Sequence, residues 1–181
     1  KKLVLDSTAG AGQWSSVIYN KKARGYALAY TRQSGGVFYG QQRTSGSWTI
    51  RTIDTSVKGA YLSVTVDRKY LPAFSYYDTV KQDLKLARWT GKAWTTGLVA
   101  AKSDQGAYNS LRFTPDNKAE ILYYNAAANA IYAARGNFGA FSLTRIRSNA
   151  GVGMAAAVNY STGGQTYTWI DDDDLLNLAD L

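Results

Sequence analysis

Between residues 62 and 66 the chain alternates: Leu62, Val64 and Val66 fall to one side, Ser63, Thr65 and Asp67 to the other. That period of two predicts a strand with one buried face. Three more short runs rich in Val, Tyr, Trp and Thr follow at residues 73–77, 84–88 and 95–100, separated by Gly, Asp and Thr-containing turns. Four such runs in succession predict antiparallel strands joined by tight turns.

The same four-strand pattern recurs along the chain. The run Ala73-Phe74-Ser75-Tyr76-Tyr77-Asp78 is matched by Leu28-Ala29-Tyr30-Thr31 before it and by Ile121-Leu122-Tyr123-Tyr124-Asn125 after it, then by Thr168-Trp169-Ile170-Asp171. The anchors Tyr30, Tyr77, Tyr124 and Ile170 are 47, 47 and 46 residues apart. Four strands per repeat of this length, copied in tandem, is the pattern of a β-propeller blade. The expected fold is therefore all-β, four blades of four antiparallel strands, with repeats near residues 8–55, 56–102, 103–148 and 149–181 plus 1–7. Residues 3–7 match a fourth strand and residues 176–181 a third. Two arrangements follow: a closed four-bladed ring whose N-terminal strand completes the last blade, or a segment of a larger propeller.

Composition narrows the chemistry. The 181 residues include no Cys and no His, which excludes disulfides, thiolate zinc sites, a Cys nucleophile and a Ser-His-Asp triad. Glu120 is the sole Glu, and the sequence offers little that points to the two flanking carboxyls a glycosidase needs. No apolar run reaches the length of a membrane-spanning helix. The formal charge of +8 favours anionic partners, a glycan or a protein, over neutral ones. No nucleic-acid motif is present, and no cofactor is expected.

Strand alternation sorts the loops onto two faces. The turns between first and second strands carry Lys21, Lys22, Arg24, Arg68, Lys69 and Lys118, and those between third and fourth strands add Arg43 and Lys92. One face should therefore be basic, either as solubilising charge or as a docking surface. Asp67, Asp116 and Glu120 oppose these charges on the same side. The opposite face carries the run Asp171, Asp172, Asp173 and Asp174. Clustered carboxylates suit a hard cation, but the spaced ligand pattern of a calcium loop is absent, so a solvated turn is preferred to a metal site. Asp78, Asn125 and Asp171 share a position after the second strand, where an Asx side chain caps its own turn.

Aromatics recur at two blade positions: Trp48, Trp94 and Phe141 open the fourth strand, and Trp14, Tyr61 and Tyr108 precede or open the first. Such residues serve either as packing between sheets or as stacking platforms for a sugar ring. Trp14, Tyr61 and Tyr108, beside Gly-containing blade connections, are the candidate ligand-binding set.

The runs Tyr76-Tyr77-Asp78 and Asp83-Leu84-Lys85-Leu86-Ala87-Arg88-Trp89, with Gly91 and Trp94-Thr95, resemble the repeat of bacterial tandem-repeat propellers. They are also similar to blades of fucose-binding lectins, which hold the sugar between blades with an Arg, a Glu and an aromatic. With Glu120 alone, that triplet cannot recur here. The resemblance implies a secreted, periplasmic or surface-exposed protein that binds a glycan or a partner protein without catalysing a reaction. A structural subunit that assembles with other chains is the alternative, and part of an enzyme the third.

Overall fold

The structure is a computed structural model describing residues 2–101, 103–149, 155–158, 165–170 and 175–180. Three meander sheets follow one another: β1 (Ser15–Asn20), β2 (Gly25–Thr31), β3 (Val37–Gln42) and β4 (Trp48–Asp54); β5 (Gly59–Val66), β6 (Pro72–Asp78), β7 (Asp83–Trp89) and β8 (Trp94–Ala100); β9 (Gln105–Phe113), β10 (Ala119–Asn125), β11 (Ala130–Asn137) and β12 (Ala140–Ser148). A fourth sheet has three described strands, β13 (Ala155–Val158), β14 (Gln165–Ile170) and β15 (Leu176–Asp180). Every pairing is antiparallel, and no helix occurs among the described residues. The four strands expected in the second repeat are β5 to β8, each within three residues of its expected start.

The sheets are blades. Their first strands adjoin in sequence order, β1 beside β5, β5 beside β9 and β9 beside β13, so each blade turns its first strand to the axis. Among the described residues the apolar layers lie between consecutive blades. Ala27, Ala29, Val37 and Tyr39 of the first blade meet Val64, Phe74, Tyr76 and Ala87 of the second. The second then meets the third through Leu84, Leu86 and Val99 against Leu111, Phe113, Ile121 and Tyr123. Being covered on both faces, all seven residues of β6 are buried, whereas β12 at the outer rim is mostly exposed. That explains why the second strand of a blade reads as a nearly continuous apolar run while the outer strand is more polar.

An inner strand has one unpaired edge, whose N–H groups need acceptors. Serines of the preceding blade supply them. Val64 N–H donates to Ser16 Oγ at 3.1 Å, and Leu111 N–H to Ser63 Oγ at 3.0 Å. Both serines stand at the same blade position, 47 residues apart.

Residues 3–7, expected to be a fourth strand, carry none, and β15 pairs only with β14 among the described residues. Asp6 instead anchors this segment to the first blade, accepting hydrogen bonds from Tyr30 Oη at 2.7 Å and Arg32 Nε at 2.8 Å. Asp54, at the end of β4, bonds the second blade in the same way through Tyr76 Oη at 3.0 Å and Lys85 Nζ at 2.7 Å. Residues 3–7 thus lie against the first blade as the end of β4 lies against the second. The blade arrangement is consistent with a partial propeller.

Candidate functional site

The turns between first and second strands gather on one face. Lys21 and Arg68 line a shared cleft of about 470 Å³ at the axis, with Tyr19, Val66, Tyr70 and Phe113. Arg68 N–H donates to Asn117 Oδ1 at 2.8 Å, tying the second blade's turn to the third's. Lys22, Arg24, Lys69 and Lys118 occupy the same turns and are exposed. The three opposing acids are already engaged. Asp67 is bonded by Arg88 Nη2 at 2.8 Å, Asp116 lies 2.9 Å from Lys118 and 3.3 Å from Arg135, and Glu120 is buried against Arg112. Burial opposes ionisation of Asp67, but Arg88 and the N–H groups of Leu71 and Lys69 hold its carboxyl below the usual value.

From the axial cleft a groove of about 380 Å³ opens outward between the first and second blades, with Tyr70 common to both. The first blade contributes Asn20, Lys22, Tyr39, Gln41, Arg43, Thr49 and Arg51; the second contributes Tyr70, Leu71, Pro72, Trp89 and Trp94. Trp94 forms the aromatic floor, its ring 4.7 Å from Tyr39, 5.5 Å from Phe74 and 5.9 Å from Trp89. Trp89, half-buried, is the wall open to the groove, and the Arg51 guanidinium stands 5.9 Å from its ring centre. Aromatic faces bounded by polar groups can stack a sugar ring and orient it.

Local hydrogen bonds hold the walls in place. Asn20 Oδ1 accepts from Lys22 and Ala23 N–H, both at 3.1 Å, while its Nδ2 donates to the Tyr70 carbonyl at 3.1 Å. Asp67 Oδ1 closes the turn before Tyr70 by accepting from Lys69 at 2.8 Å and Leu71 at 2.9 Å. Tyr70 itself has φ 61, a left-handed conformation that costs a bulky residue energy and is held by these bonds. Arg43 Nε donates to Thr49 Oγ1 at 3.1 Å, and Tyr39 Oη to Gln41 Oε1 at 2.6 Å.

The candidate set Trp14, Tyr61 and Tyr108 lies on the opposite face, around the axis. Two-for-one bulges in β5 and β9 fall at Tyr61 and Tyr108, both with φ 50, and aim the rings inward. The rings pack on one another, Trp14 to Tyr61 at 4.5 Å and Tyr61 to Tyr108 at 4.4 Å between centres. Burial first, and the Tyr108 hydroxyl second, push the Tyr61 phenol up to about 12. The structure therefore brings these three together but apart from the groove. Asp78 and Asn125 do cap their turns, through Val80 N–H at 3.1 Å and Ala128 N–H at 3.0 Å. Asp171, Asp172, Asp173 and Asp174 lie outside the described residues.

Sequence reasoning passed over Tyr39, Arg51 and Trp89 because it sought positions that repeat. The groove forms where the repeat breaks: in the hairpins, Trp89 corresponds to Gln42 and Gly136, and Arg51 to Gly97 and Thr144.

This architecture is a β-propeller. No family model and no curated protein matches the sequence. Among solved structures, the SapL1 lectin in complex with α-methyl fucoside superposes with a TM-score of 0.72 at 16% identity, over 96% of this chain and 60% of that one. AofleA from Arthrobotrys oligospora gives 0.71 at 13% identity, over 92% and 53%. The six-bladed fungal lectin of Aleuria aurantia gives 0.65 at 14% identity, over 92% and 57%. The chain thus spans no more than 60% of the length of the lectins it resembles.

Proposed function

We propose that this chain is a non-enzymatic, lectin-like propeller that binds a saccharide in the groove between its first and second blades. The carrying observation is the open wall of Trp89 above Trp94 and Tyr39, facing polar side chains of the neighbouring blade. The likeness to lectin propellers supports the reading, and so does the pairing of Glu120 with Arg112. A secreted or surface location accords with this reading.

The test is binding to a broad panel of immobilised glycans with the wild type and Trp89→Ala. Trp89 is only half-buried, so the variant should keep the fold, checked by its melting curve. Binding by the wild type and its loss in the variant is the expected result. Equal binding by both would remove the groove from consideration.

A second reading, a subunit of a larger assembly, draws on Leu176 and Leu178 of β15, which are 76% and 66% exposed. Contiguous apolar exposure marks a docking surface. Light scattering that finds only monomer across a wide concentration range would count against self-association as that assembly.

A further inference from the structure

The groove is unequal in its hydrogen-bonding capacity. Its lining includes Lys22, Arg43 and Arg51 and no Asp or Glu. None of the three cations has a carboxylate within ion-pair distance among the described residues. Several of its side-chain acceptors already serve the protein: Asn20 Oδ1 accepts from two turn N–H groups, Gln41 Oε1 from Tyr39, and Thr49 Oγ1 from Arg43. A neutral sugar makes no use of three cations that lack a carboxylate partner. An anionic substituent only accepts. A carboxylate or sulfate matches guanidinium donors in both charge and geometry.

The next groove has lost these features. Where the first has Arg51, Arg43 and Trp89, the second has Gly97, Thr90 and Gly136. Phe138 fills the space over Gly97, where an added Cβ would meet its ring at 2.5 Å. Of the two grooves between the first three blades, one is cationic and open and the other is plugged.

We infer that the groove between the first and second blades recognises a saccharide through an anionic substituent, with the sugar ring on Trp89 and the anion on Arg43 and Arg51. This deepens the proposed carbohydrate binding and rests on it. The first blade supplies the charge and the second the stacking surface, so the ligand bridges them. Specificity for an anion follows from three cations in a groove whose lining holds no Asp or Glu. One such site serves the first three blades.

The experiment uses the intact chain on three immobilised arms: a uronic-acid polymer, a sulfated polymer and neutral glycans that include fucosides. The wild type should bind an acidic arm and not the neutral one, the arm retained identifying carboxylate or sulfate. Arg51→Gln and Arg43→Gln should each lower affinity by about tenfold, the scale of one charge-assisted contact. Arg51→Lys should recover only part, since charge returns without the planar fork. Lys81→Gln, on the opposite face, should change nothing. Equal losses from Arg51→Gln and Lys81→Gln would reduce the effect to unspecific charge and overturn the inference. Binding confined to neutral glycans and lost in Trp89→Ala would also overturn it while leaving carbohydrate binding intact. Binding to none of the arms would sink both.

Discussion

The Phe138 ring lies directly over Gly97, so close that a Cβ there would stand 2.5 Å from Phe138 Cδ1 and 2.9 Å from Cε1. The glycine is needed for space, and the aromatic closes the groove between the second and third blades. Gly97→Ala should therefore expel the ring and destabilise by about 1–3 kcal/mol, as overpacking does. Phe138→Ala removes a half-buried ring and should cost about 1–2 kcal/mol. With Phe138 already gone the added methyl meets no clash, so the double variant should cost clearly less than the two singles together. Denaturant titration of the four proteins checks this, and strict additivity would show that the two residues do not share the space.

Ser63 makes a second testable contact between blades. Its Oγ accepts from Leu111 N–H on the axial edge of β9, where no ladder partner exists. Ser63→Ala leaves that N–H without its acceptor and should lower stability by about 1–2 kcal/mol. Amide exchange at Leu111 should accelerate more than at residues within β10. An unchanged exchange rate at Leu111 would mean that the serine contributes no bond in solution.

Asp54 supplies a pH dependence. Burial by itself would raise its carboxyl, but bonds from Lys85, Ser56 and Tyr76 outweigh this and hold it at about 2. Unfolded, the group returns to about 3.9. A depressed pKa in the folded state stabilises above the unfolded value, and the contribution is lost as pH falls from about 4 through about 2. Asp54→Asn should thus melt lower than the wild type at neutral pH, with the gap narrowing through that window. A gap that stays constant down to pH 2 would assign the loss to packing instead of charge.

The blades were legible because period-two alternation and the Tyr30, Tyr77, Tyr124 spacing are local signals repeated several times. The shared face of Lys21 and Arg68 followed from strand direction alone. Less legible was residue 3–7, whose apolar Leu3-Val4-Leu5 reads as a strand although Asp6 fastens it to Tyr30 and Arg32 without a ladder. The groove was hidden for a different reason. Arg51 and Trp89 sit 38 residues apart on different blades, and each is an exception to the repeat. Averaging over copies discards such positions. Ser63 falls on the polar side of its alternating strand, and a serine there reads as solvent-facing until the neighbouring blade is placed beside it.

The turn that carries Lys21, Lys22 and Arg24 yields the last prediction. Lys21, Lys22 and Arg24 are exposed on one turn and make no ion pair among the described residues, whereas Lys118 on the third blade is 2.9 Å from Asp116. Asp67, Asp116 and Glu120 are each bound to a cation, so they do not offset the first blade's turn. An anionic polymer held at this face by exposed charge is screened over about 8 Å at physiological ionic strength. Retention on a heparin column should therefore fall steeply with salt. Changing Lys21, Lys22 and Arg24 to Gln should move elution to much lower salt, and Lys118→Gln should move it little. Retention that ignores salt, or that responds equally to Lys118→Gln, would leave the first blade's turn as solubilising charge with no docking role.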